Sequence, residues 1–251
     1  MNVLFFKVWQ RNFKVWRKHL QASLIGNLGQ PFLFLLAMGY GLGRQIPQIE
    51  GLTYLQFIAP GLVASSVMYS AAFETTYGSY TRLSTQGTFE GILMTPVSVS
   101  DLALGEMVWG ATKGLISGLI MLCALPLFGV VPSIWSLALL PLLFLEGIFF
   151  ASFGLIMTAL ASNYEFFNYF TSLIITPLFL FSGIFFPVEA LNPISQKILL
   201  ALPLTRVVQL SRMFCYGDLS PSGLAAISVV LLYAISSVWL ASYFLKRRLI
   251  V

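Results

Sequence analysis

The chain has 251 residues, 58% of them hydrophobic and 9% charged, where a water-soluble domain carries about 25% charge. Its mean hydropathy is +0.87, and its net charge of +5 is spread too thinly to form a nucleic-acid-binding cluster. These values exclude a sizeable soluble domain and indicate a polytopic membrane protein of all-α class.

Residues 3–20 come first. At 100° per residue, Lys7, Arg11, Lys14 and Lys18 fall on one face of a helix, and Phe5, Trp9, Phe13, Trp16 and Leu20 fall on the other. The pattern predicts an amphipathic helix in the membrane surface, aromatic rings in the acyl boundary and cations toward membrane lipids. No cleavable leader is expected, because the first twenty residues lack a short apolar core.

Six spans are then predicted, over residues 22–42, 54–77, 102–128, 134–161, 166–186 and 222–245. Each offers about twenty apolar residues, enough for a hydrocarbon core of about 30 Å. An even number of spans puts both termini on one side. The N-terminal helix contributes five Lys and Arg, Arg82 one and the C-terminal Lys246, Arg247 and Arg248 three, nine against the four of Arg44, Lys197, Arg206 and Arg212. The imbalance predicts cytoplasmic termini.

Between the second and third spans lies TFEGILMTPVSVS, residues 88–100, too short and broken to cross a bilayer. A short helix over residues 90–94 is expected, with Thr88 as its N-cap, Glu90 in the first turn and Pro96 as its stop. Ile92, Leu93 and Met94 beside a carboxylate suit docking in a groove of another protein. They also suit a loop resting on lipid.

Within the third span, Gly110, Gly114 and Gly118 repeat every four residues and predict a close helix–helix seam, between spans or between protomers. Lys113 lies near mid-depth of that span and Glu146 near the middle of the fourth. Isolated charges there are costly, so a Lys113–Glu146 pair or a shared hydrated cavity is expected, with Glu106 as the competing partner for the lysine. Beyond the fifth span, residues 194–202 are apolar but too short to span, and predict a re-entrant or interfacial helix. Phe181, Phe185 and Phe186, preceded by Phe179, suggest either a hydrophobic rim at an outer exit or an aromatic belt, with Arg206 and Arg212 facing the outer side as solvated charges or toward acidic headgroups or glycans.

No catalytic constellation is legible. GxxxxGK[ST], HExxH and GxSxG are missing, His19 is the one histidine, and Cys123 and Cys215 fit no metal or redox spacing. The expectation is a chain without its own catalytic, cofactor or metal site. A proton-driven secondary transporter remains a rival reading. So does a membrane-embedded lipid- or glycan-modifying enzyme using Glu146 or Glu165.

The run RLSTQGTFEGILMTPVSVSDLALGEMVWGATKG resembles the corresponding loop and third span of ABC-2 type transporter permeases, and more narrowly the nodulation protein J (NodJ) subfamily. The likeness extends to NFKVWRKHLQASLIGNLGQPFLFLLAMGYGLG, ASNYEFFNYFTSLIITPLFLFSGIFFPVEAL and LKRRLIV, and so covers nearly the whole chain. FSGIFFP is widespread in the family, whereas GEMVWGATKG and SLIGNL are narrower. The resemblance implies one transmembrane domain over residues 1–251, with an interfacial helix, six spans and a re-entrant segment before the last. It also implies a coupling helix, carried onto Thr88, Phe89, Glu90, Gly91, Ile92, Leu93, Met94, Thr95 and Pro96. Two copies would assemble in a bacterial inner membrane with two copies of an ATP-binding subunit, which would hold the ATP and Mg2+. Rhizobial members export lipochitin oligosaccharides, and relatives move drugs, polysaccharides or lipid-linked glycans.

Overall fold

A computed structural model describes residues 4–18, 29, 31–43, 45–46, 48–49, 51–217 and 221–250. Helix α1, Leu4–Arg17, leads the chain. The start of the first predicted span, residues 22–28 together with residue 30, lies outside the described residues. Its described end closes in a π-helical segment, Leu35–Leu42.

Helix α2, Tyr54–Thr85, starts at a capping box. The Thr53 side chain accepts from Gln56 N–H while the Gln56 side chain accepts from Thr53 N–H, satisfying two orphan donors of the first turn. From Glu74 the helix widens into two π-helical turns, Glu74–Gly78 and Thr81–Thr85. The Thr158 hydroxyl, from a neighbouring helix, donates to the Thr75 and Thr76 carbonyls at 2.6 and 3.2 Å. It thereby supports the backbone where the regular ladder shifts.

The short helix α3 is Thr88–Leu93. Helix α4, Val99–Ala124, begins three residues ahead of the predicted span because Ser98 and Asp101 form a second capping box. Helix α5 is Leu139–Leu160. Helix α6, Phe166–Phe181, is shorter than the predicted fifth span. It stops at Ser182–Phe186, where Gly183 takes φ 78° and breaks helical continuity. Helices α7, Pro193–Ala201, and α8, Pro203–Tyr216, meet in a 90° elbow at Pro203. Helix α9, Pro221–Leu249, closes the bundle.

Among the described residues no strand forms beyond an isolated Ile49–Leu52 bridge. Four helices reach spanning length, Tyr54–Thr85, Val99–Phe128, Ile134–Leu160 and Ala226–Leu249, and the bent α7–α8 pair makes a fifth if taken as one broken span. Six full spans are therefore not seen among the described residues, and the shortfall falls on the first and fifth of those predicted.

Helix α2 is the most enclosed of the spanning helices and packs on α4 and α5, while α9 packs against α5, α8 and α4. The glycine repeat makes the central approach possible. A Cβ on Gly110 would lie 2.7 Å from Thr75 Cγ2 and 2.8 Å from Ala151 Cβ, and one on Gly118 would lie 2.6 Å from Val67 Cγ2. At Gly114 it would meet Val67. The seam thus joins α4 to α2 and α5 of the same chain.

Candidate functional site

The second and third predicted spans carry charges that converge where α2 turns π-helical. Glu74 Oε1 accepts from Arg82 Nη1 at 2.9 Å and from Trp109 Nε1 at 2.8 Å, and its Oε2 takes Lys113 Nζ at 2.6 Å. Glu106 Oε2 accepts from Arg82 Nη2 at 2.7 Å, Arg82 Nε at 3.1 Å and Ser79 Oγ at 2.6 Å. Its Oε1 accepts from Asn12 Nδ2 at 2.6 Å. Two carboxylates and two cations therefore close a neutral, largely buried network in which every carboxylate oxygen has a donor. Gly78 leaves room for it, since a Cβ there would stand 3.0 Å from Glu74 Oε1.

Lys113 accordingly pairs with Glu74. The expected Lys113–Glu146 pair does not form: both Glu146 oxygens are buried without a hydrogen-bond partner. Glu106 does not compete for the lysine, because Arg82 claims it. Glu74 was the residue missed. Its position eight residues before Arg82, at the foot of the second span, was the available signal.

Helix α1 is seated on this network. Val8 and Asn12 are buried, and a Cβ on Gly105 would clash with Val8. Trp9 Nε1 donates to Thr112 Oγ1 at 3.0 Å, while Phe13 and Trp16 pack edge-on against the Trp109 ring at 6.2 and 5.8 Å. The aromatic face of α1 thus meets α4, which is a protein contact where the sequence suggested lipid. Lys7, Lys14 and Lys18 are exposed. Arg11 leaves their company: its Nη1 donates to Asn12 Oδ1 at 2.9 Å and its Nη2 to Thr88 Oγ1 at 3.4 Å. Burial, and after it the charge of Arg82, pull its guanidinium below its ordinary pKa, with Glu106 pulling the other way.

Helix α3 is held on one side only. Phe89 is fully buried among Val8, Leu102, Leu155 and their neighbours, and Ile92 and Leu93 are half-buried beside it. Glu90, Gly91, Met94, Thr95 and Pro96 face outward, Met94 at 89% exposure. The expected N-cap is corrected: Gly87, at φ 59°, occupies that position, and Thr88 lies inside the first turn. A groove of about 410 Å³ runs between α1 and α3, lined by Lys7, Val8, Arg11, Thr88, Ile92 and Val97.

At the other end of the bundle, the aromatic side chains separate. Phe179 is buried and Phe185 packs on it and on Phe34, Phe186 is half-buried and Phe181 is exposed. Arg212 is no solvated charge. Its Nε donates to Phe57 O at 3.0 Å and its Nη2 to the Gly183 and Ile184 carbonyls at 2.6 and 3.1 Å, and the guanidinium sits 3.6 Å over the Phe57 ring. It clamps α8 to α2 and to the turn after α6. Glu165 is exposed in the loop before α6. About 20 Å of helix rise separates Glu146 from that loop, so the two do not form an acid–base pair.

These features define a class: a multi-pass helical membrane protein in which a buried charge network ties α1, α2 and α4 together and a short helix outside the spans presents an exposed face. Residues 3–216 match the family described as ABC-2 type transporter. The chain is 37% identical over 243 residues to nodulation protein J of Rhizobium meliloti (strain 1021), covering 96% of this chain and 92% of that protein. It is likewise 37% identical to nodulation protein J of Sinorhizobium fredii (strain NBRC 101917 / NGR234), over 97% and 93% of the two chains. With the inner membrane transport permease YadH of Escherichia coli (strain K12) the identity is 25%, over 95% and 90%. The chain belongs to the ABC-2 type transporter family, and its resemblance in sequence pattern to the nodulation protein J group is matched by these relatives.

Proposed function

We propose that this protein is the membrane-embedded permease of an exporter driven by ATP hydrolysed on a separate subunit. Two copies of the chain and two of the ATP-binding subunit would form the working assembly, in an inner membrane with both termini cytoplasmic and a sixfold set of spans in each permease. ATP and Mg2+ would sit on the partner. The substrate class is an amphipathic molecule, a lipo-oligosaccharide, glycan-lipid or drug-like compound.

One observation carries this reading. Helix α3 is pinned by Phe89 on its inner side and presents Glu90 and Met94 on its outer side. A helix so placed suits docking in a partner's groove. Its first residue, Thr88, is linked through Arg11 and Asn12 to Glu106, and through Arg82 to Glu74 in α2. A displacement of α3 would thus reach α1, α2 and α4 together, because packed polar networks move as units.

The test is transport in inverted membrane vesicles. ATP depletion is expected to stop uptake, and a protonophore in the presence of ATP is expected to leave it. Uptake abolished by the protonophore at constant ATP would instead support a proton-driven transporter, for which the unpartnered Glu146 would be the first residue to examine.

A further inference from the structure

The two arginines near the α7–α8 elbow are not equivalent. Arg212 is committed to three backbone carbonyls and a phenylalanine ring. Arg206 is anchored at one point, Nε to Leu200 O at 2.7 Å, with a long 3.4 Å contact from Nη1 to Gln209 Oε1. Among the described residues its Nη2 donates to no protein atom. Arg206 borders a cavity of about 540 Å³, lined also by Gln209 and Arg212 on α8, Glu189 on the preceding turn, and the apolar Leu200 and Ala226. The volume falls in the range of about 300–1,000 Å³ that holds small ligands.

Three features narrow the ligand. Two arginines against one glutamate leave the lining cationic, and a half-free guanidinium fork matches a phosphate or carboxylate. The rest of the lining is apolar in part, with Leu52, Leu200, Met213 and Ala226 around the arginines. Apolar side chains within a cationic cavity fit the start of an acyl chain beside an acidic headgroup. The cavity also lies near the start of α2, by Leu52, whereas the Glu74 network lies some twenty residues along that helix. That rise is about 30 Å, the thickness of a bilayer core, so the cavity belongs to the opposite membrane surface.

We infer that this cavity binds the anionic headgroup of an acyl-chain amphiphile, with Arg206 as the residue that holds the charge. Bilayer phospholipid and transported substrate share that chemistry, and the site does not depend on the exporter reading. The probe is phosphatidylglycerol, titrated into the detergent-purified full chain and followed by native mass spectrometry, with phosphatidylcholine and glycerol 3-phosphate as comparisons. Phosphatidylglycerol is expected to bind about tenfold more tightly than either, or about 1.4 kcal/mol, because the trimethylammonium of phosphatidylcholine is repelled by the cationic lining and glycerol 3-phosphate has no acyl chain. Arg206→Gln should erase the difference from phosphatidylcholine, while Glu189→Gln, an exposed position, should tighten phosphatidylglycerol binding. The pair of opposite shifts separates a charge site from a loss of folding. Equal binding of phosphatidylglycerol and phosphatidylcholine, or no response to either substitution, would overturn the inference. Glycerol 3-phosphate binding as tightly as the lipid would overturn its acyl-chain part. If the site serves the transported molecule, phosphatidylglycerol will compete with transport in wild type and not in Arg206→Gln; if it holds bilayer lipid, transport will not respond to added phosphatidylglycerol.

Discussion

Lys113 sets its ammonium 2.6 Å from Glu74 Oε2, bridging the third and second predicted spans, and leaves Glu146 without a partner. Both members of the pair are about nine-tenths enclosed. Removing one partner of a buried pair costs about 3–5 kcal/mol. Lys113→Glu and Glu74→Lys should therefore each lower the melting temperature of the purified protein sharply, and the double reversal should recover much of the loss. Lys113→Glu with Glu146→Lys should recover none. Rescue by that second combination would mean the lysine serves α5.

Arg82 spans two carboxylates with one planar fork. A lysine offers a single point charge and cannot hold both. Arg82→Lys is thus expected to destabilise nearly as much as Arg82→Gln. A double-mutant cycle between Arg82 and Glu106 should give a coupling of about 1–3 kcal/mol, while coupling near zero would place the network's stability elsewhere.

Glu146 contributes a buried carboxyl with nothing to bond. A buried polar group without a partner costs about 1–3 kcal/mol, which an apolar side chain of similar volume avoids. Glu146→Met should melt at the same or a higher temperature than wild type. Loss of transport without loss of stability would then assign the carboxyl a working role, and loss of stability would reveal a partner.

The glycines divide by what surrounds them. Gly110 faces Thr75 and Ala151, whereas Gly91 on α3 has nothing within 4 Å of a Cβ. Gly110→Val should cost about 1–3 kcal/mol through overpacking. Gly91→Ala should be neutral or stabilise by up to about 1 kcal/mol, since it only relieves chain entropy. Equal effects in thermal melting would remove the packing explanation for the seam.

Much of the architecture could be read from hydropathy, because a helix that must satisfy its backbone in lipid announces itself in a long apolar run. The glycine repeat was legible too, because its four-residue spacing is local. Partner choice was not. The Lys113–Glu146 expectation matched charges by depth, but the lysine meets Glu74 where α2 enters its π-helical turns, and no hydropathy pattern reports such a turn. The early start of α4 was in fact written in Ser98 and Asp101, a capping-box spacing that went unused. The division of Arg206 from Arg212 depends on carbonyls left open by the turn at Gly183, which only the folded chain brings within reach.

The docking role of α3 is tested by co-purification of this protein with the proposed ATP-binding subunit, comparing wild type with Glu90→Arg plus Met94→Asp. Both positions are exposed, so the variant is expected to insert and melt as wild type does. The account predicts stable wild-type assembly and its loss in the variant. A variant that still assembles, and still alters the partner's ATP hydrolysis, would contradict the docking role of α3.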